Sequence, residues 1–147
     1  MIQETVILIA EDDSGHFALV KRNLWRSCVV EDIIQFQDGQ EILDFLFSDE
    51  PGQGRKPNSR YIIMLDIRMP KVDGKEVLAK VKGDPSLKNI PVIMLTTTDD
   101  LDEIDRCYKL GCNFYIVKPA DYNKFMEAVQ SLGDFLSTGG IQVPAIK

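Results

Sequence analysis

Tyr61-Ile62-Ile63-Met64-Leu65-Asp66-Ile67-Arg68-Met69-Pro70 is the stretch whose reading decides the fold. Tyr61 to Leu65 is an apolar run that ends in one carboxylate. A run of this length bounded by turn signals fits a strand buried on both faces, although periodicity alone leaves a buried helix open. Pro70 and Val72-Asp73-Gly74 then turn the chain. Asp66 therefore sits where a buried strand emerges into a loop, the edge at which open α/β sheets bind ligands. Taken alone, it reads as well as a cap for the next helix.

Working outward, the same grammar repeats. Upstream, Thr5 to Ala10 is a first strand, ending in Glu11-Asp12-Asp13. Ser14 to about Trp25 has helical spacing, with Phe17, Val20 and Leu24 on one face. Val29 to Phe36 reads as a second strand near the sheet's edge, because Glu31 and Asp32 interrupt it. A second helix carries Ile42, Leu43, Leu46 and Phe47 as its apolar stripe. The polar stretch 48–60 is a long surface loop. Downstream, a helix from Asp73 to Lys82 buries Val77, Leu78 and Val81, and Ile90 to Leu95 forms a fourth strand ending in Thr96. Leu101, Ile104 and Tyr108 mark a fourth helix closed by Gly111. Asn113 to Val117 is a fifth strand ending in Lys118-Pro119. A last helix from Tyr122 to about Leu136 presents Phe125, Met126, Val129, Leu132 and Leu136 to the core. Strands alternating with helices predict an α/β fold, a doubly wound five-stranded parallel sheet with helices on both faces. One domain is expected over 1–138, with a short tail over 139–147.

Composition removes several classes. The net charge of −6 disfavours nonspecific nucleic-acid binding. No apolar run reaches the ~20 residues of a membrane span, and no basic, then apolar leader opens the chain, so a cytoplasmic protein without a membrane partner is expected. Cys28, Cys107 and Cys112 are scattered, which suggests buried, inert thiols rather than disulfides or zinc. His16 reads as an exposed helix residue.

Four strand ends carry polar groups that the fold would bring to one edge: Glu11 and Asp12, Asp66, Thr96 and Lys118. Carboxylates forced together repel unless a cation intervenes. Oxygen-only ligands of this kind suit Mg²⁺, which takes one or two carboxylates and keeps several waters. A phosphoryl group on Asp66 would then face the metal, the lysine ammonium and the Thr96 hydroxyl.

On these motifs the chain resembles the receiver domain of two-component response regulators, a flavodoxin-like fold. Glu11-Asp12, Asp66 in LDIRMPKVDG, Thr96 in PVIMLTT, and Tyr115 with Lys118-Pro119 in FYIVKP stand in the family's order over residues 5–137. The loop at 48–60, DGKEVLAKVK at 73–82 and IPVIMLTTT at 90–98 make it most similar to the single-domain regulators associated with cyanobacterial phytochromes. The resemblance implies that Asp66 accepts a phosphoryl group from a sensor histidine kinase, with phytochrome-type kinases among the candidates, and that the change of conformation signals to a partner protein or passes phosphate down a relay. It implies Asp12, Asp66 and the Arg68 backbone carbonyl as direct Mg²⁺ ligands, with Glu11 acting through metal-bound water. Lys118 would hold the phosphoryl group, its bond to Pro119 would be cis, and Thr96 with Tyr115 would form the switch. Thr97, often smaller in the family, would restrict access to the acyl phosphate.

Rival readings are weaker. Phosphatases of the haloacid-dehalogenase kind carry an Asp two residues after the nucleophile; here that position is Arg68, which takes no proton from water at neutral pH. The chain is therefore expected to act as a switch and not as an enzyme. A flavodoxin-like cofactor binder would share only the fold, and no glycine-rich phosphate loop is present. A degenerate receiver would lack one of the pocket residues, and none is missing. Phosphorylation is expected to favour a homodimer through the fourth helix, fifth strand and fifth helix, whose charges (Asp102, Glu103, Asp105, Arg106, Lys109, Lys124, Glu127) could pair across a two-fold axis; the plain alternative is an ordinary solvated face.

Overall fold

The computed structural model describes residues 4–27, 32–50, 52–56, 59–97, 100–118 and 121–137. Five strands alternate with five helices: β1 (Glu4–Ala10), α1 (Ser14–Ser27), β2 (Asp32–Phe36), α2 (Gly39–Leu46), β3 (Ser59–Leu65), α3 (Gly74–Lys82), β4 (Val92–Thr96), α4 (Leu101–Leu110), β5 (Phe114–Val117) and α5 (Tyr122–Ser137). All pairings are parallel, in the order β2-β1-β3-β4-β5. The expected doubly wound sheet is present, β2 lies at its edge and β3 at its centre. The expected cis bond at Pro119, the first residues of the expected second strand, Cys28 and the tail over 139–147 lie outside the described residues.

The unbroken apolar runs follow from this topology. Val6, Leu8 and Ala10 of β1 and Tyr61, Ile63 and Leu65 of β3 pack on one face against Ile42, Leu43 and Leu46 of α2 and Val77, Leu78 and Val81 of α3. Ile7, Ile9, Ile62 and Met64 point the other way, toward Val20 and Leu24 of α1 and Phe125 of α5. Side chains alternate across a strand, and here both faces are dry, so no polar residue marks the period.

Several boundaries shift for local reasons. β4 begins at Val92, not Ile90, because Pro91 has no amide to give a ladder. Asp38, Asp73 and Asp100 cap α2, α3 and α4 through side-chain bonds to backbone amides, and so stand just outside these helices. Phe47 is the C-cap of α2 and is 45% exposed, so it leaves the apolar stripe assigned to it. α4 buries only Cys107 completely; Leu101 is 80% exposed and Tyr108 46%. Tyr108 stays at the surface because its hydroxyl accepts the Tyr115 amide of edge strand β5, at 3.1 Å. Gly111, at φ +107°, closes α4 in the left-handed region as expected. Cys107 and Cys112 are buried, and burial pushes the Cys112 thiol up to about 11, consistent with inert thiols.

Candidate functional site

Backbone ladder bonds that run one residue past the strands set the site. The Glu11 amide donates to Phe36 O at 3.0 Å, the Asp66 amide to Ala10 O at 3.1 Å, and the Lys118 amide to Thr96 O at 2.7 Å. Glu11, Asp66 and Lys118 are thereby held at one edge of the sheet. Gln35 of β2 adds a bond from its Nε2 to Glu11 O at 2.9 Å, a brace that nothing in the sequence singled out.

Carboxylate oxygens of Glu11, Asp12 and Asp66 lie within 4.8 Å of one another. Glu11 is buried, Asp66 half-buried and Asp12 exposed, so the group opens to solvent on the Asp12 side. Lys118 is buried among them: its ammonium is hydrogen-bonded to Glu11 and lies 3.3 Å from Asp66 Oδ2. Burial pushes the Glu11 carboxyl above its ordinary range, and the bond and charge of Lys118 oppose that shift. An all-oxygen donor set of this size and charge fits a hard divalent cation.

Arg68 is exposed, and its amide donates to Asp66 Oδ1 at 3.3 Å. With Asp12 it lines a cleft of about 540 Å³ that runs past Asp73 and Lys75 to Asp100 and Glu103. Thr96 is fully buried at the end of β4, and Tyr115 is half-buried on the neighbouring strand. Burial first, then nearby thiols and carboxylates, push the Tyr115 phenol up to about 12. Thr97 is exposed beside Thr96.

Two further features escaped the sequence. His16 is not simply an exposed helix residue: its Nδ1 lies 3.3 Å from the Lys118 ammonium nitrogen. Gly74 is more than a turn signal. Its amide donates to Ile67 O at 2.8 Å, and a Cβ there would stand 2.1 Å from the Asp66 carbonyl oxygen. Only glycine lets the first turn of α3 approach the backbone that carries Asp66. Gly74→Ala is expected to cost roughly 1–3 kcal/mol by overpacking, read by urea unfolding, and to displace the Asp66 loop. A variant as stable as the parent would show that the loop yields freely.

A family model described as the response regulator receiver domain matches residues 7–130. The chain is 35% identical over 130 residues to response regulator Rcp1 of Synechocystis, covering 88% of this chain and 87% of that protein. The crystal structure of a response regulator receiver domain from Rhodospirillum rubrum superposes with a TM-score of 0.84 at 41% identity, covering 95% of this chain and 96% of that one. The Mn²⁺-bound form of Rcp1 gives 0.82 at 35% identity, covering 95% of this chain and 99% of that one. The phosphorylated cyanobacterial phytochrome response regulator RcpA gives 0.82 at 31% identity, covering 98% of this chain and all (100%) of that one.

Proposed function

The chain belongs to the response regulator receiver domain family of two-component signalling, and we propose that Asp66 is its phosphoacceptor, with Lys118 and Thr96 binding the phosphoryl group and Thr96 and Tyr115 relaying its arrival. The observation that carries this is the meeting of Asp66 with two further carboxylates and a buried ammonium at the sheet edge. The transfer balances simply. An Asp66 carboxylate oxygen forms the new O–P bond as the N–P bond of a kinase phosphohistidine breaks. The donor imidazole leaves with the electron pair and takes a proton from water.

Glu11, Asp12, Asp66 and the Arg68 carbonyl would hold Mg²⁺, which when bound supplies positive charge opposite the incoming phosphoryl oxygens. Lys118 adds a second positive charge from a site with almost no exposed side chain. The cleft lined by Asp12, Ile67 and Arg68 opens beside Asp66, and the donor would approach from that side. Arg68 offers no base for water two residues after Asp66, which suits a lasting switch better than rapid turnover. The test is to incubate the protein with sensor histidine kinases, phytochrome kinases among them, and radiolabelled ATP, and to map the label. Label on the peptide carrying Asp66 is the expected result; label on another carboxylate would overturn the assignment.

The output surface we propose is the face of α4, β5 and α5, through which a second copy or a downstream protein binds. Leu101 and Tyr108 of α4 and Phe114 of β5 are exposed there, and Tyr108 is bonded to the backbone of Tyr115. The charges first invoked for pairing across a two-fold axis contribute less. Glu103 faces Lys75 of α3 at 2.6 Å, and Asp105 faces Lys109 within α4 at 2.9 Å. Apolar burial would therefore carry more of such a dimer than exposed ion pairs. Light scattering is expected to show the mass rise from monomer towards dimer when beryllofluoride is added, with only modest weakening at moderate salt. A monomer in both states would exclude regulated dimerisation, and an equal dimer in both would show that assembly is not the switch.

A further inference from the structure

We propose that His16 is a positioning residue for Lys118: its Nδ1 accepts a hydrogen bond from the ammonium and keeps that charge at the phosphoryl site when the carboxylates turn to a cation. The proposal rests on Asp66 as phosphoacceptor.

An ammonium has three N–H donors and no acceptor. Lys118 meets three acceptors: the Glu11 carboxylate, Asp66 Oδ2 at 3.3 Å and His16 Nδ1 at 3.3 Å. Two of them belong to the carboxylates that would hold the metal. His16 is the third, and it keeps its lone pair for the lysine whatever those carboxylates do. A nitrogen facing an ammonium proton must be bare, so the ring proton sits on Nε2. Glu11 Oε1 at 3.7 Å and Asp13 Oδ2 at 3.9 Å lie near the same nitrogen, but both are beyond hydrogen-bond distance.

The ring is also anchored from outside the pocket. The His16 amide donates to Asp13 Oδ1 at 3.0 Å at the start of α1, which fixes the backbone. Phe125 of α5 meets the imidazole with centroids 5.7 Å apart and planes tilted by 53°. His16 thus ties Lys118, which follows β5, to the packed pair of α1 and α5.

The chain has one histidine, so a two-bond proton–nitrogen correlation spectrum of the imidazole reads His16 without assignment. At about pH 8, wild type is expected to show a bare Nδ1 and a protonated Nε2. Lys118→Met should relax that preference into a mixture of tautomers. A proton on Nδ1 in wild type, or a spectrum indifferent to Lys118→Met, would overturn the proposal. A second arm follows phosphoryl uptake from acetyl phosphate with Mg²⁺. His16→Ala is expected to be about tenfold slower, the scale of one hydrogen bond to a charged group. His16→Asn puts an acceptor oxygen near the place of Nδ1 and should recover most of the rate. Equal rates for wild type and His16→Ala, or an Asn variant no better than Ala, would sink it. A wild type that takes up no phosphoryl group would instead defeat the reading of Asp66, and the tautomer would still report on the His16–Lys118 bond.

Discussion

Replacing Asp66 with Asn is expected to reduce base-labile phosphoryl uptake to background while leaving the fold intact. The carboxamide keeps the shape of the side chain, and its oxygen can still accept the Arg68 amide that Asp66 Oδ1 accepts at 3.3 Å. The Asp66 backbone bond to Ala10 does not involve the side chain. What is lost is the anionic oxygen that must attack phosphorus. Stability should change little, because removing one of three neighbouring carboxylates relieves repulsion as it removes a partner of Lys118. Gel labelling with radiolabelled donor, alongside thermal unfolding, separates the two effects. Uptake that persists in a folded Asp66→Asn protein would move the acceptor to another side chain.

Withdrawal of divalent metal is the second large effect. Glu11, Asp12 and Asp66 present three carboxylates within 4.8 Å, relieved on one side by the Lys118 ammonium. The donor brings a phosphoryl anion to the same place, and the product carries about one more negative charge than the free carboxylate. One lysine cannot balance that sum. In excess chelator, uptake is expected to fall about 100-fold or more, the scale of several kcal/mol of charge stabilisation. Added Mg²⁺ should restore it, and the cation should bind more tightly in the presence of beryllofluoride. Full uptake in chelator would leave the three carboxylates without their proposed role.

The sheet was legible because parallel strands buried on both faces cannot hide. Ile7 and Ile9 serve one core while Val6 and Leu8 serve the other, and the run of apolar residues records both. The strand-end residues were legible for the reverse reason, as charged or hydroxyl groups at the ends of such runs. The residues that support them were not. His16 lies in the first turn of α1, where a half-exposed polar residue is commonplace, and only the direction of its ring distinguishes it. Gly74 carried the ordinary signal of a turn, whereas its purpose is close approach to the backbone of Asp66. Tyr108 marks α4 by its spacing, but spacing alone cannot show that its hydroxyl serves the edge of the sheet. Glu103 looked like surface charge until α3 supplied Lys75 beside it.

Strand order has a consequence for synthesis. Apart from the exchange of β1 and β2, the order β2-β1-β3-β4-β5 is the order in which strands leave the ribosome. Each later strand can therefore dock beside the one made before it, while the domain itself folds as a unit. Glu11, Asp12 and Asp66 are all made before β4, and Lys118 arrives only after the last strand. A nascent chain stopped short of β5 holds the mutually repelling carboxylates without their internal counter-ion. Its lowest-cost course is to leave that edge unassembled, so the pocket closes only when the final strand docks.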